Sequence, residues 1–266
     1  MKKNDTPGGL LALDVGNTTV GVGVFDGRTL VREWKIRSDR ERTADEYGLI
    51  LTGLLDGAGI DRERIGHVIL SSVVPPLTPV FQALSRRLFG TRPVVVGPGL
   101  KTGMPIRYEN PLEVGADRIT ASVAAYDKHG GPCIVVDFGT AVTFDAVSAG
   151  GEYLGGAIAP GILIAAESLS SRTAKLPRVE IARPARVIGR TTASSMQSGL
   201  FHGTVGLIAH IIDEMKKELG ADAKVVVTGG FAELFLPHVP ALGVHEPHLV
   251  LEGLRILFER SRGDAG

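Results

Sequence analysis

The sequence has little cysteine, few aromatic residues and no excess of either charge. One cysteine among 266 residues leaves no partner for an intrachain disulfide and excludes cysteine-rich zinc sites. Basic and acidic residues each number 29, and the resulting net charge of zero favours neither a nucleic acid nor a membrane surface as a partner. No apolar run has the length of a membrane span, and the polar residues 1–9 contain no signal-peptide core. We therefore expect a cytoplasmic protein.

Several common nucleotide and metal signatures are also absent. The chain contains no G-x-x-x-x-G-K-[ST] loop, no G-x-G-x-x-G after a predicted strand and no H-E-x-x-H. These absences disfavour a P-loop NTPase, a Rossmann enzyme and a zinc protease of that class. Glycine is abundant at 35 residues, which is typical of a protein with many tight turns and close backbone approaches to a ligand.

One pattern occurs twice: an apolar run that ends in Asp, one spacer residue, a Gly and small polar residues. The first copy, LLALDVGNT, contains Asp14, and the second, CIVVDFGT, contains Asp137. A β-rich run follows each copy. A strand, a tight turn and a returning strand direct backbone N–H groups at an anion, and the carboxylate can hold a cation beside it. Either Asp alone could instead cap its own turn, but the repetition favours two phosphate turns in two similar domains.

Hydrophobic periodicity predicts alternating strands and helices along the whole chain. The first half is predicted as βββαβαβ, and its first helix begins at Thr43, with Glu46 completing a capping box. A helix over 116–128 leads to a second half that broadly repeats βββα. The later predicted elements are a helix over 161–170, a long helix over 196–219, a strand over 224–228 and a last helix over 250–260.

Two further segments have the residues for nucleotide or proton chemistry. Asp117 follows a Gly-Ala pair at a predicted helix start, and a carboxylate there could take the proton of a substrate hydroxyl during phosphoryl transfer. Alternatively, Asp117 and Glu113 are early-turn acids favoured by the helix dipole. The strand that ends in Gly229-Gly230 could let the backbone approach adenine and ribose, or could simply open a helix.

The motifs DVGNTT, DFGTAVTF and VVTGG resemble the phosphate-1, phosphate-2 and adenosine motifs of the acetate kinase, sugar kinase, Hsp70 and actin superfamily. Within it, the stretches GPGLKTGMPIRYENPLEVGADR and IGRTTASSMQSG resemble type III pantothenate kinase, and the resemblance extends over about residues 10–258. It implies an α/β fold of two duplicated actin/ribonuclease H-like domains of the βββαβαβα type, with a nucleotide cleft between them. The implied domains are 10–115 and 116–262, with a bridging helix at 116–129.

The resemblance implies an ATP-dependent phosphotransferase with an alcohol acceptor. Members of that family transfer the γ-phosphate of ATP to pantothenate and form 4′-phosphopantothenate, the first step of coenzyme A biosynthesis. The implied cofactors are Mg²⁺ with ATP and a monovalent cation, K⁺ or NH₄⁺. Two alternatives are a non-catalytic regulator of the Bvg accessory factor type and a kinase with another acceptor. The presence of Asp14, Asp117, Asp137 and Thr140 favours the enzyme, and the GADR segment favours pantothenate.

The same resemblance implies a role for individual residues. Asp117 would be the general base, and Asp137 would hold the monovalent cation. The implied ATP contacts are Asp14, Val15, Gly16, Asn17, Thr18, Thr19, Val20, Gly21 and Thr140. The implied pantothenate contacts are Tyr108, Gly115, Ala116, Asp117, Arg118 and Thr192.

Three of these residues also have structural alternatives. Arg118 could pair with an acid nearby, Tyr108 could be a packed loop aromatic, and Thr192 could be the N-cap of the long helix.

We also expect a homodimer whose pantothenate site is shared between subunits. The resemblance implies the shared site, because it places Thr192 against pantothenate that is held mainly by the partner subunit. The long helix also has apolar positions beyond one narrow stripe, which favours a second packing partner. These positions include Leu207, Ile208, Ile211 and Ile212.

Overall fold

A computed structural model describes residues 8–173 and 175–263. The sequence analysis expected no signal peptide in residues 1–9, and residues 1–7 of that segment lie outside the described residues. The chain forms two compact units. Of the described residues, the first unit contains 8–104, 110–124 and 250–263, and the second contains 105–109, 125–173 and 175–249.

The first unit is a five-stranded mixed sheet in the order β3-β2-β1-β4-β5. Strand β1 is antiparallel to β2 and parallel to β4, so β1 and β4 end at the same edge of the sheet. The strands are β1 (Gly9–Val15), β2 (Thr19–Asp26), β3 (Thr29–Arg37), β4 (Ile65–Ser72) and β5 (Val94–Val95).

Helices α1 (Ala44–Gly57) and α2 (Thr78–Phe89) cover one face of this sheet. Thr43 and Glu46 form the capping box of α1, as predicted from the sequence. The core on this face buries alternate residues of β1, and the rings of Tyr47 and Phe81 pack 4.7 Å apart against it. The alternation directs Asp14 to the opposite face.

The second unit repeats this sheet. Its order is β8-β7-β6-β9-β10, with β6 antiparallel to β7 and parallel to β9. The strands are β6 (Cys133–Phe138), β7 (Ala141–Val147), β8 (Tyr153–Pro160), β9 (Lys224–Gly229) and β10 (Val244–His245). The two sheets therefore confirm the predicted duplication: β1 to β5 correspond to β6 to β10 in order and direction.

The helices of the second unit differ from those of the first. Between β8 and β9 the chain forms α4 (Ile162–Ser171) and the long α5 (Thr192–Leu219), where the first unit has only α1. A short α6 (Ala232–Phe235) follows β9. Phe138 stacks on Phe235 of α6 with ring centroids 5.3 Å apart, which fixes the end of β6 in the core.

Helices α3 (Ala116–His129) and α7 (Leu249–Gly263) show that the compact units do not follow the partition expected at residue 115. The first nine residues of α3 and nearly all of α7 belong to the first unit, although α7 is the last element of the chain. Long-range packing explains this difference, since α7 contacts β2 and α3 within the first unit.

The apolar residues of α5 pack against the core of their own chain. Ile208 and Ile212 are fully buried, and Leu207 and Ile211 pack partly buried against the same core. Ile208 and Ile212 therefore belong to the core of the second unit, whereas Leu207 and Ile211 stay partly exposed, and the packing of α5 on a partner subunit stays a prediction. Across residues 8–173 and 175–263, no helix is both long enough and apolar enough to cross a membrane.

Candidate active site

The first predicted phosphate turn joins β1 to β2. The Gly16 N–H donates to the Thr19 carbonyl oxygen at 3.0 Å, and residues 16–18 form the loop between the strands. Asn17 and Thr18 are exposed at its tip. Asp14 lies next to last in β1 and pairs with Gly21 in β2. Backbone N–H groups at such a turn and a carboxylate beside them suit a phosphate and its counter-cation.

The second turn joins β6 to β7 and repeats this arrangement. The Gly139 N–H donates to the Ala141 carbonyl oxygen at 3.1 Å, and Thr140 is exposed at the tip. Asp137 is next to last in β6, as Asp14 is in β1. Gly161, at the start of α4, packs so closely on this turn that a Cβ there would overlap the Thr140 carbonyl oxygen. The turn is therefore held by its neighbours.

The Gly229-Gly230 pair lies beside the Asp137 carboxylate. Asp137 pairs with Thr228, the residue before Gly229, across the parallel strands β6 and β9. Gly229 has φ +96°, and a Cβ added to it would lie 2.5 Å from Asp137 Oδ1. The Gly230 N–H donates to the Phe138 carbonyl oxygen at 3.1 Å. The absence of a side chain at Gly229 thus leaves room for the Asp137 carboxylate, and the approach of this backbone to adenine and ribose stays a prediction.

Asp117 lies in the first turn of α3, at the carboxyl edge of the first sheet. Its Oδ1 accepts the Arg118 N–H at 2.8 Å. A Cβ on Gly115 would lie 2.5 Å from this oxygen and 3.5 Å from Val73 Cγ1. Val73 directly follows β4, and its N–H donates to the Val15 carbonyl oxygen at 3.0 Å. These contacts connect the end of β1, the end of β4 and the start of α3.

Burial raises the pKa of Asp117 above its ordinary value of 3.8. The hydrogen bond from the Arg118 N–H and the positive charge of that residue oppose this rise. A carboxylate that is partly desolvated and has a raised pKa is a stronger base than an exposed one. The environment of Asp117 therefore suits proton abstraction.

Helix α7 holds α3 in place. A Cβ on Gly253 of α7 would overlap the Thr120 carbonyl oxygen of α3, so the two helices touch through their backbones. Leu251 of the same helix packs on Gly23 of β2, since a Cβ added to Gly23 would lie 3.1 Å from Leu251 Cδ1. This is the sheet face on which Gly21 and Asp14 lie. The last helix thereby links the first phosphate strand to the helix of the predicted base.

The other predicted pantothenate contacts are divided between the units. Gly115, Ala116 and Arg118 lie with Asp117 in the first unit, whereas Tyr108 and Thr192 belong to the second. Tyr108 is half-buried, and Thr192 is exposed. The N-cap of α5 is Thr191, which forms a capping box with Ser194, and Thr192 is the first helical residue. The interpretation of Thr192 as the N-cap is therefore wrong, and its side chain is left for another role.

The sequence analysis missed residues beside the predicted site. Arg40 Nη2 donates to Asn17 Oδ1 at 3.1 Å, which places a positive charge at the first phosphate turn. Asp145 of β7 is 1% exposed and accepts the Tyr153 hydroxyl at 2.8 Å. An acid within an apolar strand is a sequence signal, and it could have identified Asp145. Among the described residues, no group of three or more His, Cys, Asp or Glu side chains could hold a metal ion.

Two similar sheets, each with an acid near the end of its first strand and a glycine turn after it, define a duplicated actin-like α/β fold. The chain belongs to the type III pantothenate kinase family, whose model matches residues 10–214.

Two curated type III pantothenate kinases are similar over nearly the whole chain. The Moorella thermoacetica protein is 55% identical over 252 residues, covering 95% of this chain and 99% of the relative. The Geobacter sulfurreducens protein is 53% identical over 253 residues, with the same coverage. A solved structure from Campylobacter jejuni, assigned to the Baf family of transcriptional activators, covers 95% of this chain and 99% of its own, with a TM-score of 0.60. At 19% identity, that likeness shows the fold alone.

The two adjacent glycines at the end of β9, Gly229 and Gly230, provide a matched test of how the Asp137 carboxylate is held. Gly229→Ala should lower the melting temperature and weaken ATP binding, because the new Cβ meets both the Phe138 backbone and Asp137 Oδ1 at a positive φ. Gly230→Ala should be tolerated, since nothing lies within 4 Å of a Cβ there. Thermal unfolding and nucleotide titration of both variants are the measurements. Equal effects of the two substitutions would contradict the described geometry.

Proposed function

We propose that the chain transfers the γ-phosphate of ATP to the hydroxyl of pantothenate and forms 4′-phosphopantothenate, the first step of coenzyme A biosynthesis. The observation that carries the proposal is the environment of the Asp117 carboxyl. This carboxyl is half-buried and has a raised pKa, and it lies at the carboxyl edge of the first sheet, close to the end of β1. In its ionised form it accepts the hydroxyl proton as the oxygen attacks phosphorus, and the other residues align and neutralise the phosphates.

The phosphate turns support the ATP half of this reaction. Backbone N–H groups at residues 17–18 and 140 would bind phosphate oxygens, and Thr18 and Thr140 lie at the exposed tips of the turns, where their hydroxyls could donate to the same phosphates. Asp14 lies beside the first turn, where it can hold the Mg²⁺ that accompanies ATP. A single free buried cysteine, Cys133, fits a reducing compartment, and we place the reaction in the cytoplasm.

Asp117→Asn tests the base. The amide oxygen can still accept the Arg118 N–H, but the side chain can no longer take a proton, so we expect kcat to fall about 10²- to 10⁴-fold. In the wild type, kcat should fall on acidification at a higher pH than an ordinary Asp would cause, because burial raises the pKa of Asp117. Steady-state assays across pH measure both. Near-normal turnover of the variant would refute the assignment.

Unfolding of the same variant provides the control. Between pH 3.8, where an unfolded Asp titrates, and the raised native pKa, the native state binds more protons than the unfolded state. This contribution to wild-type stability therefore falls as pH rises through that window, and Asn lacks it. Relative to the wild type, Asp117→Asn should gain free energy of unfolding as pH rises. A variant that loses activity by unfolding would instead have a free energy of unfolding too low to keep it folded at the assay pH.

Asp137 would hold the monovalent cation. Its carboxylate, the carbonyl oxygens of the turn and the Thr140 hydroxyl are the hard oxygen donors that such a cation takes. A single carboxylate suits a single positive charge. The bound cation would offset negative charge at the second phosphate turn.

We expect turnover to require K⁺ or NH₄⁺ and to fail in Na⁺ alone. Asp137→Ala should abolish the activation, whereas Asp213→Ala, which removes an exposed acid of α5, should keep it. Initial rates at constant ionic strength with each cation are the measurement. If rates in Na⁺ equal those in K⁺, the proposed role of Asp137 is wrong.

A homodimer with a shared pantothenate site remains part of the proposal, and exposed apolar residues outside α5 also favour it. Most of the exposed large apolar residues belong to the second unit, and all of these except Val244 of β10 lie on β8, on α4 or in the segment before α5. The most exposed are Ile158 at 64%, Leu163 at 53%, Val187 at 65% and Ile188 at 81%. Exposed apolar surface of this kind favours burial by a partner. Ser198 holds the segment by donating to the Val187 carbonyl oxygen at 2.5 Å.

Subunit mixing tests the shared site. Asp117→Asn and Thr192→Arg should each be inactive alone, because one lacks the base and the other places a bulky cation at the exposed start of α5. Co-refolded heterodimers should regain activity in one of their two sites. Mixing Asp117→Asn with the Asp117→Asn/Thr192→Arg double variant is the control and should give no rescue. A monomer by light scattering, or verified heterodimers without activity, would refute the shared site.

A further inference from the structure

The segment 105–109 is attached to the first residues of β8. The Tyr153 N–H donates to the Pro105 carbonyl oxygen at 2.9 Å, and the Arg107 N–H donates to the Tyr153 carbonyl oxygen at 2.8 Å. The Arg107 guanidinium also pairs with the Glu152 carboxylate, with Nη2 2.6 Å from Oε1. The segment therefore lies along β8 as a short parallel bridge, and it contains Tyr108.

The Tyr108 ring packs directly on Gly155. A Cβ on Gly155 would lie 3.3 Å from Tyr108 Cε2 and 3.4 Å from Cδ2, so glycine leaves just enough room for the ring. Gly155 also has φ +117°, a conformation that side chains rarely adopt. Tyr108 also approaches the Tyr153 ring, with 6.4 Å between the ring centroids. The ring of Tyr108 is thus held while part of it stays exposed.

Tyr153 is in turn fixed by Asp145. Tyr153 is fully buried, and its hydroxyl donates to Asp145 Oδ1 at 2.8 Å. The Thr143 hydroxyl donates to Asp145 Oδ2 at 3.4 Å, and Thr143 pairs with Asp137 across β6 and β7. A buried carboxyl is costly unless it is hydrogen-bonded, so these contacts restrain all of the groups involved. The contacts run from the acid of the second phosphate turn to Tyr108.

We propose that Gly155, Tyr153 and Asp145 are positioning residues for the acceptor substrate and act by holding the Tyr108 ring where it contacts pantothenate. This inference rests on the proposed function, in which Tyr108 binds pantothenate. It predicts that displacing the ring affects pantothenate and leaves the use of ATP intact. A purely structural role would instead change stability, or change both substrates alike.

Gly155→Ala is the test, and Gly220→Ala is its matched control. Gly220, at the end of α5, has φ +114°, and nothing lies within 4 Å of a Cβ there, so the control has the same backbone strain without the ring contact. Gly155→Ala should raise KM for pantothenate on the order of 10-fold, with a smaller change in kcat and none in KM for ATP. The control should change none of these. In a Tyr108→Ala background, Gly155→Ala should have no further effect on KM.

The inference is overturned if Gly155→Ala matches Gly220→Ala, or if its effect persists in the Tyr108→Ala background. Should Gly155→Ala fail to fold, Tyr153→Phe keeps the ring, removes the bond to Asp145 and should raise the same KM. Fluorotyrosine labelling gives a readout independent of activity, since the chain has four tyrosines. The ¹⁹F resonance of Tyr108 should move in Gly155→Ala and not in Gly220→Ala. If the Tyr108 resonance moves in Gly155→Ala but the wild type does not phosphorylate pantothenate, the proposed function is refuted. If the wild type is active but the resonance does not move in Gly155→Ala, the positioning role is refuted.

Discussion

The burial of alternate residues in the first strand of each sheet determines where the functional carboxylates lie. Val15 and Phe138 enter the two cores, and the acids before them, Asp14 and Asp137, project from the opposite faces. A shift of the strand register by one residue would turn the acids towards the core and Val15 and Phe138 away from it. The apolar core thus fixes the register, and the register fixes the acid beside each phosphate turn. Stability and the proposed nucleotide binding therefore depend on the same strand residues.

The predicted base depends on a longer chain of contacts. Asp117 is positioned by Gly115, which leaves room for its carboxylate, and by α3, which contacts α7 through Gly253. Because the last helix of the chain packs against the β2 and α3 elements of the first unit, the first unit is complete only after the whole chain has been made. A raised pKa at Asp117 is the electrostatic consequence of that packing.

Features that depend on local pattern were predictable from the sequence. The hairpins, the order of strands and the Thr43 capping box follow from periodicity and turn residues, and all are present. The choice between Thr191 and Thr192 as the N-cap of α5 was not predictable, since each has a serine three residues later. Contacts between residues distant in sequence, such as Tyr108 on Gly155, leave no periodic signal. The catalytic and cation roles themselves came from family resemblance and stay predictions.

The most direct test of the central claim is the stoichiometry of the reaction. Purified protein with ATP, Mg²⁺, K⁺ and pantothenate would be sampled over time, and ADP and 4′-phosphopantothenate would be quantified by mass spectrometry. The account predicts that the two products form in equal amounts and that ADP does not accumulate without pantothenate. Formation of ADP without phosphopantothenate, or no reaction at all, would contradict it.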